Sequence, residues 1–101
     1  MLVRILRVDT DPGRIDAIID RYRETVRPIH ERAGGLRRHY VLIDRDAGRI
    51  TFMGMWQSRE SLEDVAPMLE PARARLWSVF PEAQTMEAYE LADELEHAPP
   101  A

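Results

Sequence analysis

The sequence has 101 residues, a formal net charge of −4 and no cysteine. This length allows one small domain, and the missing cysteines exclude disulfides, thiolate metal sites and a cysteine nucleophile. The acidic balance argues against nucleic acid or an anionic membrane as the main partner, because both favour a basic protein surface. Lysine and asparagine are also absent, so a Schiff-base lysine and an asparagine ligand are excluded. Charges interrupt the apolar N-terminal run, so we expect no signal peptide, no membrane span and a cytoplasmic location.

The first third of the chain predicts a strand followed by a helix. Residues 2–8 form an apolar run that predicts strand one, and residues 9–13 are a break with helix-capping oxygens. Apolar residues then recur at spacings of three and four over residues 13–32, which predicts one amphipathic helix. Pro28 is expected to kink this helix or end its hydrogen bonding. Gly34-Gly35 is expected to form a left-handed C-cap.

The middle of the chain predicts a β-hairpin and a second helical segment. Residues 36–44 and 49–57 read as two strands joined by a short turn that contains glycine. Ser58 is the predicted N-cap of the next segment, in which Pro67 and Pro71 interrupt a helical apolar pattern. We therefore expect two helical pieces with a bend between them.

These elements form a β-α-β-β-α-β order, which indicates an α+β fold. Pro81 is expected to end the second helical segment, and residues 84–92 predict the last strand. Right-handed crossovers and a central hairpin then predict a ferredoxin-like antiparallel sheet, with strand order 4-1-3-2 and the helices on one face. We divide the chain into one domain over residues 1–92 and a polar tail over residues 93–101.

Strand three indicates that the sheet is covered on both faces. Met53 and Met55 lie on one face of it, whereas a strand with one wet face would alternate apolar and polar residues. The helices can cover only the opposite face. A second copy of the chain would cover the rest, so we predict a homodimer through the face that carries Tyr40, Met53 and Met55.

Several motifs along the chain carry a family resemblance. They are the arginine-containing first strand, the helix exit Gly34-Gly35-Leu36, the hairpin arm at residues 41–44, the tryptophan–x–serine junction within residues 55–62, and the closing segment 87–91. With these motifs the chain resembles the antibiotic biosynthesis monooxygenase-like family of dimeric α+β barrels, from residue 2 to about residue 91. The resemblance implies two sheets packed face to face in a dimer, and a pocket in each subunit between sheet and helices.

The resemblance also bears on chemistry. Haem-degrading members of the family use an asparagine, a tryptophan and a histidine on helix two. This chain keeps Trp56, but it has no asparagine and no histidine between Trp56 and Pro81, which argues against that subgroup. Family oxygenases that act on aromatic polyketides hold a phenolic substrate with polar groups and a tryptophan, and need no metal or flavin. The resemblance therefore favours a cofactor-free monooxygenase that acts on a small aromatic or polyketide-like substrate, with no cofactor and no metal.

His39 is the candidate catalytic base. The predicted hairpin register pairs His39 with Gly54 and Arg37 with Trp56, on the face that the helices cover. Gly54 would leave open volume beside the imidazole, which Phe52 and Trp56 would wall. A histidine has an ordinary pKa of about 6.5 and can take a proton from a phenol or an activated C–H group. The competing interpretation is a hydrogen-bonded or solvated histidine near the strand edge, because a one-residue slip would turn it to the other face.

The other candidate residues have structural alternatives. Trp56 is equally a core residue, Trp77 also fits helix-to-sheet packing, and His30 faces the same pocket or interacts with the end of its helix. Arginines at 37–38 and 73–75 are interpreted as solvated. The predicted substrate pocket comprises Trp56, Phe52, Gly54, Arg37, Tyr22 and Trp77.

Two further functions fit the same residues. One is a non-catalytic dimer that binds a small hydrophobic aromatic ligand in the same pocket. The other is a structural module whose cleft is filled by Trp56, Trp77 and Phe52. An open cavity beside His39 would distinguish this module from the other two functions. Whether the protein is an enzyme is therefore left open by the sequence.

Overall fold

The described part of the chain forms four strands and three α-helices. The computed structural model describes residues 1–80 and 82–99, so the predicted helix end at Pro81 and the last two residues of the tail lie outside the described residues. Helix α1 spans Ile15–Thr25, α2 spans Arg27–Arg32 and α3 spans Arg59–Val79. A 3₁₀ turn at Pro12–Arg14 precedes α1. The strands are β1, Leu2–Asp9, β2, Leu36–Asp44, β3, Arg49–Trp56, and β4, Ala83–Glu90.

The sheet has the predicted ferredoxin-like topology. Its strand order is β2-β3-β1-β4, and each neighbouring pair is antiparallel. Side chains alternate between the two faces, as pleated strands require. On β3 every second residue is buried, and these residues point toward the helices. They form the core with apolar residues of β1 and of the helices, among them Leu2, Val8, Ile15, Ile18, Ile50, Phe52, Trp56, Leu69, Ala72 and Leu76.

The helix predicted over residues 13–32 is two helices. Helix α1 ends at Thr25, and α2 begins at Arg27 with Pro28 in its first turn. Pro28 has no N–H to donate to the preceding turn, so regular α-helical bonding ends just before it. His30 resumes the bonding, because its N–H donates to the carbonyl of Val26 at 3.1 Å.

Helix α3 is continuous, so the prediction of two helical pieces is wrong. Both Pro67 and Pro71 lie inside it. Each proline removes one backbone hydrogen bond, but the buried stripe of Leu62, Leu69, Ala72 and Leu76 runs along the whole helix. Packing of such a stripe stabilises a helix more than local propensity does. Ser58 is the N-cap as predicted, since its hydroxyl accepts from the N–H of Ser61 at 3.1 Å. Within residues 1–80 and 82–99, none of the helices combines the length and apolar character that crossing a membrane requires.

The left-handed cap predicted at Gly34-Gly35 is not formed. Among the described residues only Gly48, in the β2–β3 turn, has a positive φ, of 69°. The chain instead leaves α2 through an extended Ala33. Gly35 is needed for a different reason, because a Cβ there would overlap the side chain of Ser61 on α3. The Gly35 carbonyl also accepts from the N–H of Gln57 at 2.8 Å. The start of β2 therefore packs closely against the start of α3.

The hairpin register agrees with the prediction except at one end. Ile43 lies opposite Ile50, and His39 lies opposite Gly54. The register shifts between Leu36 and Arg38, so Leu36 and not Arg37 pairs with Trp56. The extra residue of such an irregularity loses its place in the ladder. The predicted pairing of Arg37 with Trp56 is therefore wrong.

We expect Gly35→Ala to destabilise the protein by about 1–3 kcal/mol, because the added methyl group overpacks the contact with Ser61. Urea unfolding measures the loss. Gly34→Ala is the matched control, since a Cβ at Gly34 meets nothing within 4 Å, and it should change stability by less than about 1 kcal/mol. Equal effects of the two substitutions would show that the contact is not tight.

Candidate active site

A cavity lies between the helix-covered face of the sheet and the helices. Its volume is about 40 Å³, which is enough for a few water molecules. Predicted pocket residues line it together: Tyr22, His39, Phe52, Gly54, Trp56 and Trp77. Arg37 does not, because it is exposed within the irregular start of β2 and donates to the Gln57 side chain at 2.7 Å. His30, which the sequence placed either in this pocket or at the end of its helix, also lines the cavity. The sequence did not assign the remaining lining residues to the pocket, which are Arg4, Leu6, Val26, Arg73, Leu76 and Met86.

Tyr22 joins two histidines in the wall of this cavity. Its hydroxyl lies 2.9 Å from Nδ1 of His30 and 3.0 Å from Nδ1 of His39. The two imidazole centroids are 4.3 Å apart, and the His39 ring stacks on the Tyr22 ring with an interplanar angle of 13°. Helix α1, helix α2 and strand β2 thus each contribute one member of a hydrogen-bonded triad.

The protons of this triad follow from its geometry. A tyrosine hydroxyl donates one hydrogen and accepts others, and a neutral imidazole carries its proton on one nitrogen only. One histidine therefore donates from Nδ1 to the Tyr22 oxygen, while the other accepts the Tyr22 proton at Nδ1. The donating histidine then has a free lone pair on Nε2, and the accepting one carries Nε2–H. These roles exchange when the donating histidine gains a proton at Nε2, the two protons beside the Tyr22 oxygen each move one step, and the accepting histidine loses its Nε2 proton.

Gly54 gives the aromatic side chains room to meet. A Cβ at Gly54 would lie 2.9 Å from Nε1 of Trp56 and 3.5 Å from Cδ2 of His39. The space that Gly54 leaves is thus occupied by the indole of Trp56 and the edge of the imidazole, so the open part of the cavity lies beyond them. Trp56 is 2 % exposed and meets the His30 ring edge-on, with centroids 6.2 Å apart. It is both a core residue and a wall of the cavity.

The other aromatic residues continue this wall. The Phe52 ring lies 5.2 Å from Tyr22 and 6.5 Å from Trp77, measured between centroids. Trp77 meets Phe52 edge-on across the gap between α3 and the sheet. Such edge-to-face contacts are favourable for aromatic pairs. The wall presented to a ligand is therefore mostly aromatic, with the Tyr22 triad on one side.

Burial keeps the triad neutral. Desolvation, together with the smaller effect of the charge of Arg73, lowers the pKa of His39 to about 4. Desolvation also lowers the pKa of His30 to about 3, assisted by His39, Arg73 and Arg4. Burial raises the pKa of Tyr22 to about 12. At neutral pH both imidazoles and the phenol are therefore uncharged.

The triad also borders a larger groove. This groove, of about 590 Å³, is lined by residues of α1, α2 and β2, including Tyr22, His30 and His39. Arg37 lies here and not in the cavity. The three triad side chains consequently line both the small cavity and the open groove. Within the described part of the chain, no group of three His, Asp or Glu side chains is arranged to hold a metal ion.

Three lining residues had signals in the sequence that pointed to the site. His30 follows Val26 by four residues, and therefore lies on the buried side of α2. Arg4 shares the period-two face of β1 with Leu2 and Leu6, both of which face the helices. Arg73 follows Leu69 by four residues, on the buried stripe of α3. Its interpretation as a solvated residue is wrong, since it is half-buried and lines the cavity.

Acid should destabilise the fold through the two buried imidazoles. In the unfolded chain each has a pKa of about 6.5, whereas the folded protein holds His39 at about 4 and His30 at about 3. The unfolded state then binds more protons, so the stability present above about pH 6.5 is lost as the pH falls toward these folded values. Between pH 7.5 and 5.5 we expect the free energy of unfolding to fall by on the order of 2 kcal/mol.

Urea unfolding at the two pH values measures this loss. A double variant with His30→Gln and His39→Gln should lose most of the pH dependence. The control is His97→Gln, because His97 lies exposed in the tail, and it should behave as the unmodified protein does. An equal pH dependence in the double variant would mean that other groups cause the acid sensitivity.

The chain is similar to known proteins in sequence and in fold. The family model described as antibiotic biosynthesis monooxygenase matches residues 1–65. No curated protein matches the chain.

Solved structures are similar over nearly the whole length. An antibiotic biosynthesis monooxygenase has a TM-score of 0.72 at 19% identity, over 92% of this chain and 100% of that one. Rv0793 from Mycobacterium tuberculosis has a TM-score of 0.74 at 18% identity, over 94% and 98% of the two chains. SnoaB, a cofactor-independent oxygenase from Streptomyces nogalater, has a TM-score of 0.70 at 16% identity, over 95% and 97%. At these identities the likeness shows a shared fold, whereas the family model matches more than half of the sequence. The chain therefore belongs to the antibiotic biosynthesis monooxygenase family.

Proposed function

We propose that this protein is a cofactor-free monooxygenase that acts on a small aromatic or polyketide-like substrate in the cavity beside Tyr22. The observation that carries the proposal is the Tyr22 hydroxyl between the Nδ1 atoms of His30 and His39, in the wall of an aromatic-lined cavity. Family membership supports it, as does the similar fold of SnoaB, a cofactor-independent oxygenase.

The triad is suited to removing one proton from a substrate. In the tautomer in which His39 donates from Nδ1, its Nε2 lone pair can accept a proton from a phenol or an activated C–H group. The Nδ1 proton of His39 then moves to the Tyr22 oxygen, and the Tyr22 proton moves to Nδ1 of His30. The charge ends on His30, which also lines the open groove, where water can take up the proton.

The low pKa of His39 explains why proton transfer away from it would assist catalysis. An imidazole with a pKa of about 4 is a weak base, and general-base catalysis is most effective when the pKa lies near the operating pH. A proton left on His39 would return to the substrate at once. His30, with a pKa of about 3, is a still weaker base and holds the proton only briefly. Release from His30 to water in the groove is the step that removes the proton from the cavity.

The oxidation that follows needs only dioxygen as a second substrate. The deprotonated substrate is an electron-rich carbanion or enolate, and it reduces dioxygen. One oxygen atom becomes the carbonyl oxygen of the product, and the other leaves as water. A CH₂ group and O₂ thus give C=O and H₂O, with atoms and electrons balanced.

A ligand larger than a few water molecules requires side chains to move. Met86, on the edge strand β4, is 44% exposed and lines the cavity. Methionine side chains are flexible and adapt to different ligand shapes. We therefore assign the opening of the cavity to Met86, with Trp56 and Phe52 as the fixed wall.

We expect purified protein to consume oxygen when given an anthrone-type substrate, measured with an oxygen electrode. His39→Gln should lower kcat by about 100-fold or more, the usual contribution of a general base. Tyr22→Phe keeps the ring but breaks the relay, and should lower kcat by at least about tenfold. The control is Tyr40→Phe, since Tyr40 lies on the opposite sheet face. Turnover that does not exceed background, or that is unchanged in His39→Gln, would refute the mechanism.

A non-catalytic dimer that binds aromatic ligands is the second candidate function. The observation that favours it is the low basicity of both histidines. It predicts saturable quenching of tryptophan fluorescence by the same aromatic compounds, with no oxygen uptake. A purely structural module is less well supported, because a cavity lined by His39 is present where that module would have a filled cleft.

We further propose that the protein forms a homodimer through the sheet face opposite the helices. Tyr40 pairs with Met53, and Met53 pairs with Ile5, so apolar side chains form a band across three strands. Val3 and Met55 form a second such pair. Tyr40 is 38% exposed in the single chain, and a contiguous apolar patch of this kind is typical of an interface.

Sedimentation equilibrium tests the dimer. Met53→Glu should give a monomer, because it buries an unpaired charge in the interface. Met68→Glu is the control, since Met68 is 50% exposed on α3, and it should leave the dimer intact. A monomeric unmodified protein at tens of micromolar would refute the dimer.

A further inference from the structure

Two arginines line the cavity without an acidic partner. Arg4 on β1 and Arg73 on α3 are both half-buried. Among the ion pairs of the described residues, most join exposed arginines to Asp or Glu at the surface, and none involves Arg4 or Arg73. The two guanidinium groups at the cavity therefore differ from the exposed arginines that form ion pairs at the surface.

Their remaining contacts are weak. Nε of Arg4 donates to the sulfur of Met86 at 3.1 Å, and a thioether is a poor acceptor. Within residues 1–80 and 82–99, no side-chain hydrogen bond or ion pair of Arg73 is formed. Glu70 is close enough for its charge to raise the pKa of both arginines, but it is exposed and does not form an ion pair with either of them. Most N–H donors of the two guanidinium groups are thus available to a ligand.

Two like charges beside one cavity are costly without an anion. Burial, together with the smaller effect of the charge of Arg4, lowers the pKa of Arg73 to about 10. Burial also lowers the pKa of Arg4. A guanidinium group presents a planar fork of donors that matches a carboxylate or another anionic oxygen group. An anion between these two side chains would offset both the repulsion and the desolvation.

We propose that the cavity selects ligands that carry an anionic oxygen group, which binds Arg4 and Arg73 while the aromatic body of the ligand packs against Phe52, Trp56 and Trp77. The site is an aromatic-anion site, and its ligand is an aromatic carboxylate or a phenol that binds as the phenolate. This deepens, and rests on, the assignment of the same cavity as the substrate site. It also accounts for weak histidine bases in the triad, because the two positive charges would stabilise a substrate anion once its proton has left.

Binding of a matched pair of compounds tests the proposal. The probes are 2-naphthoate and 2-naphthamide, which share their ring system and differ in charge, titrated at pH 7.5 and followed by calorimetry. We expect naphthoate to bind at least about tenfold more tightly than the amide, since hydrogen bonds between charged groups are stronger than those between neutral ones. A naphthoate affinity no greater than that of the amide, or no naphthoate binding at millimolar concentration, overturns the proposal.

Variants then locate the anion. Arg73→Gln and Arg4→Gln should each weaken naphthoate binding by about 10- to 100-fold and change naphthamide binding by less than twofold. Arg75→Gln is the control on the same helix, because Arg75 is exposed and does not line the cavity. Unchanged naphthoate binding in both Arg4→Gln and Arg73→Gln overturns the proposal. Should a variant bind neither compound, the comparison in the unmodified protein decides alone.

A third probe distinguishes the two sources of the anion. The ionisation of 2-naphthol, followed by its absorbance, should shift to lower pH on binding if the site accepts a phenolate. No shift, with naphthoate still preferred, would restrict the ligand to carboxylates. None of these measurements uses oxygen. Anion binding without oxygen uptake would refute the monooxygenase proposal and support the anion site. Oxygen uptake without a preference for the anion would support the monooxygenase proposal and refute the anion site.

Discussion

The hydroxyl of Tyr22 determines the arrangement of the whole site. It is the one atom that bonds to both Nδ1 atoms, at 2.9 and 3.0 Å, and it thereby ties α1 to α2 and to the outer strand β2. Tyr22 itself is 5% exposed, so its hydroxyl must find protein partners or carry the cost of an unpaired buried group. The two histidines supply those partners. The interaction that satisfies the tyrosine also fixes the orientation of both imidazole rings.

The electrostatics of the cavity depend on two features, the buried neutral imidazoles and the arginine charges that no carboxylate of the described residues neutralises. Burial holds the imidazoles neutral, while Arg4 and Arg73 add charge to the same cavity without carboxylates in contact. A site built in this way stabilises an anion more readily than it extracts a proton. In the proposed mechanism, proton transfer through Tyr22 and anion binding by the arginines are therefore complementary, because the relay would remove the proton and the guanidinium groups would stabilise the charge left behind.

Local sequence patterns predicted the elements correctly where tertiary packing did not oppose them. The alternation of β3 identified its buried face, and the turn between β2 and β3 placed His39 opposite Gly54. Predictions failed where packing competed with local propensity. The two prolines of α3 do not divide it, because its buried stripe is continuous. Arg37 does not pair with Trp56 as predicted, because an irregularity at the start of β2 shifts the register by one residue. No local sequence pattern predicts such a shift.

The sequence by itself determined the order of the elements and the sheet topology, because these follow from periodicity and chain connectivity. The face on which His39 lies depended on the hairpin register, which the structure decided. Only the tertiary structure decided which polar side chains meet. Tyr22, His30 and His39 are up to 17 positions apart, and Arg4 and Arg73 come from opposite sides of the cavity, on β1 and α3. Each of the five residues alone has an ordinary surface or core interpretation. The function proposed for them depends on distances of a few ångströms that sequence spacing does not encode, because such distances are set by how the helices pack on the sheet.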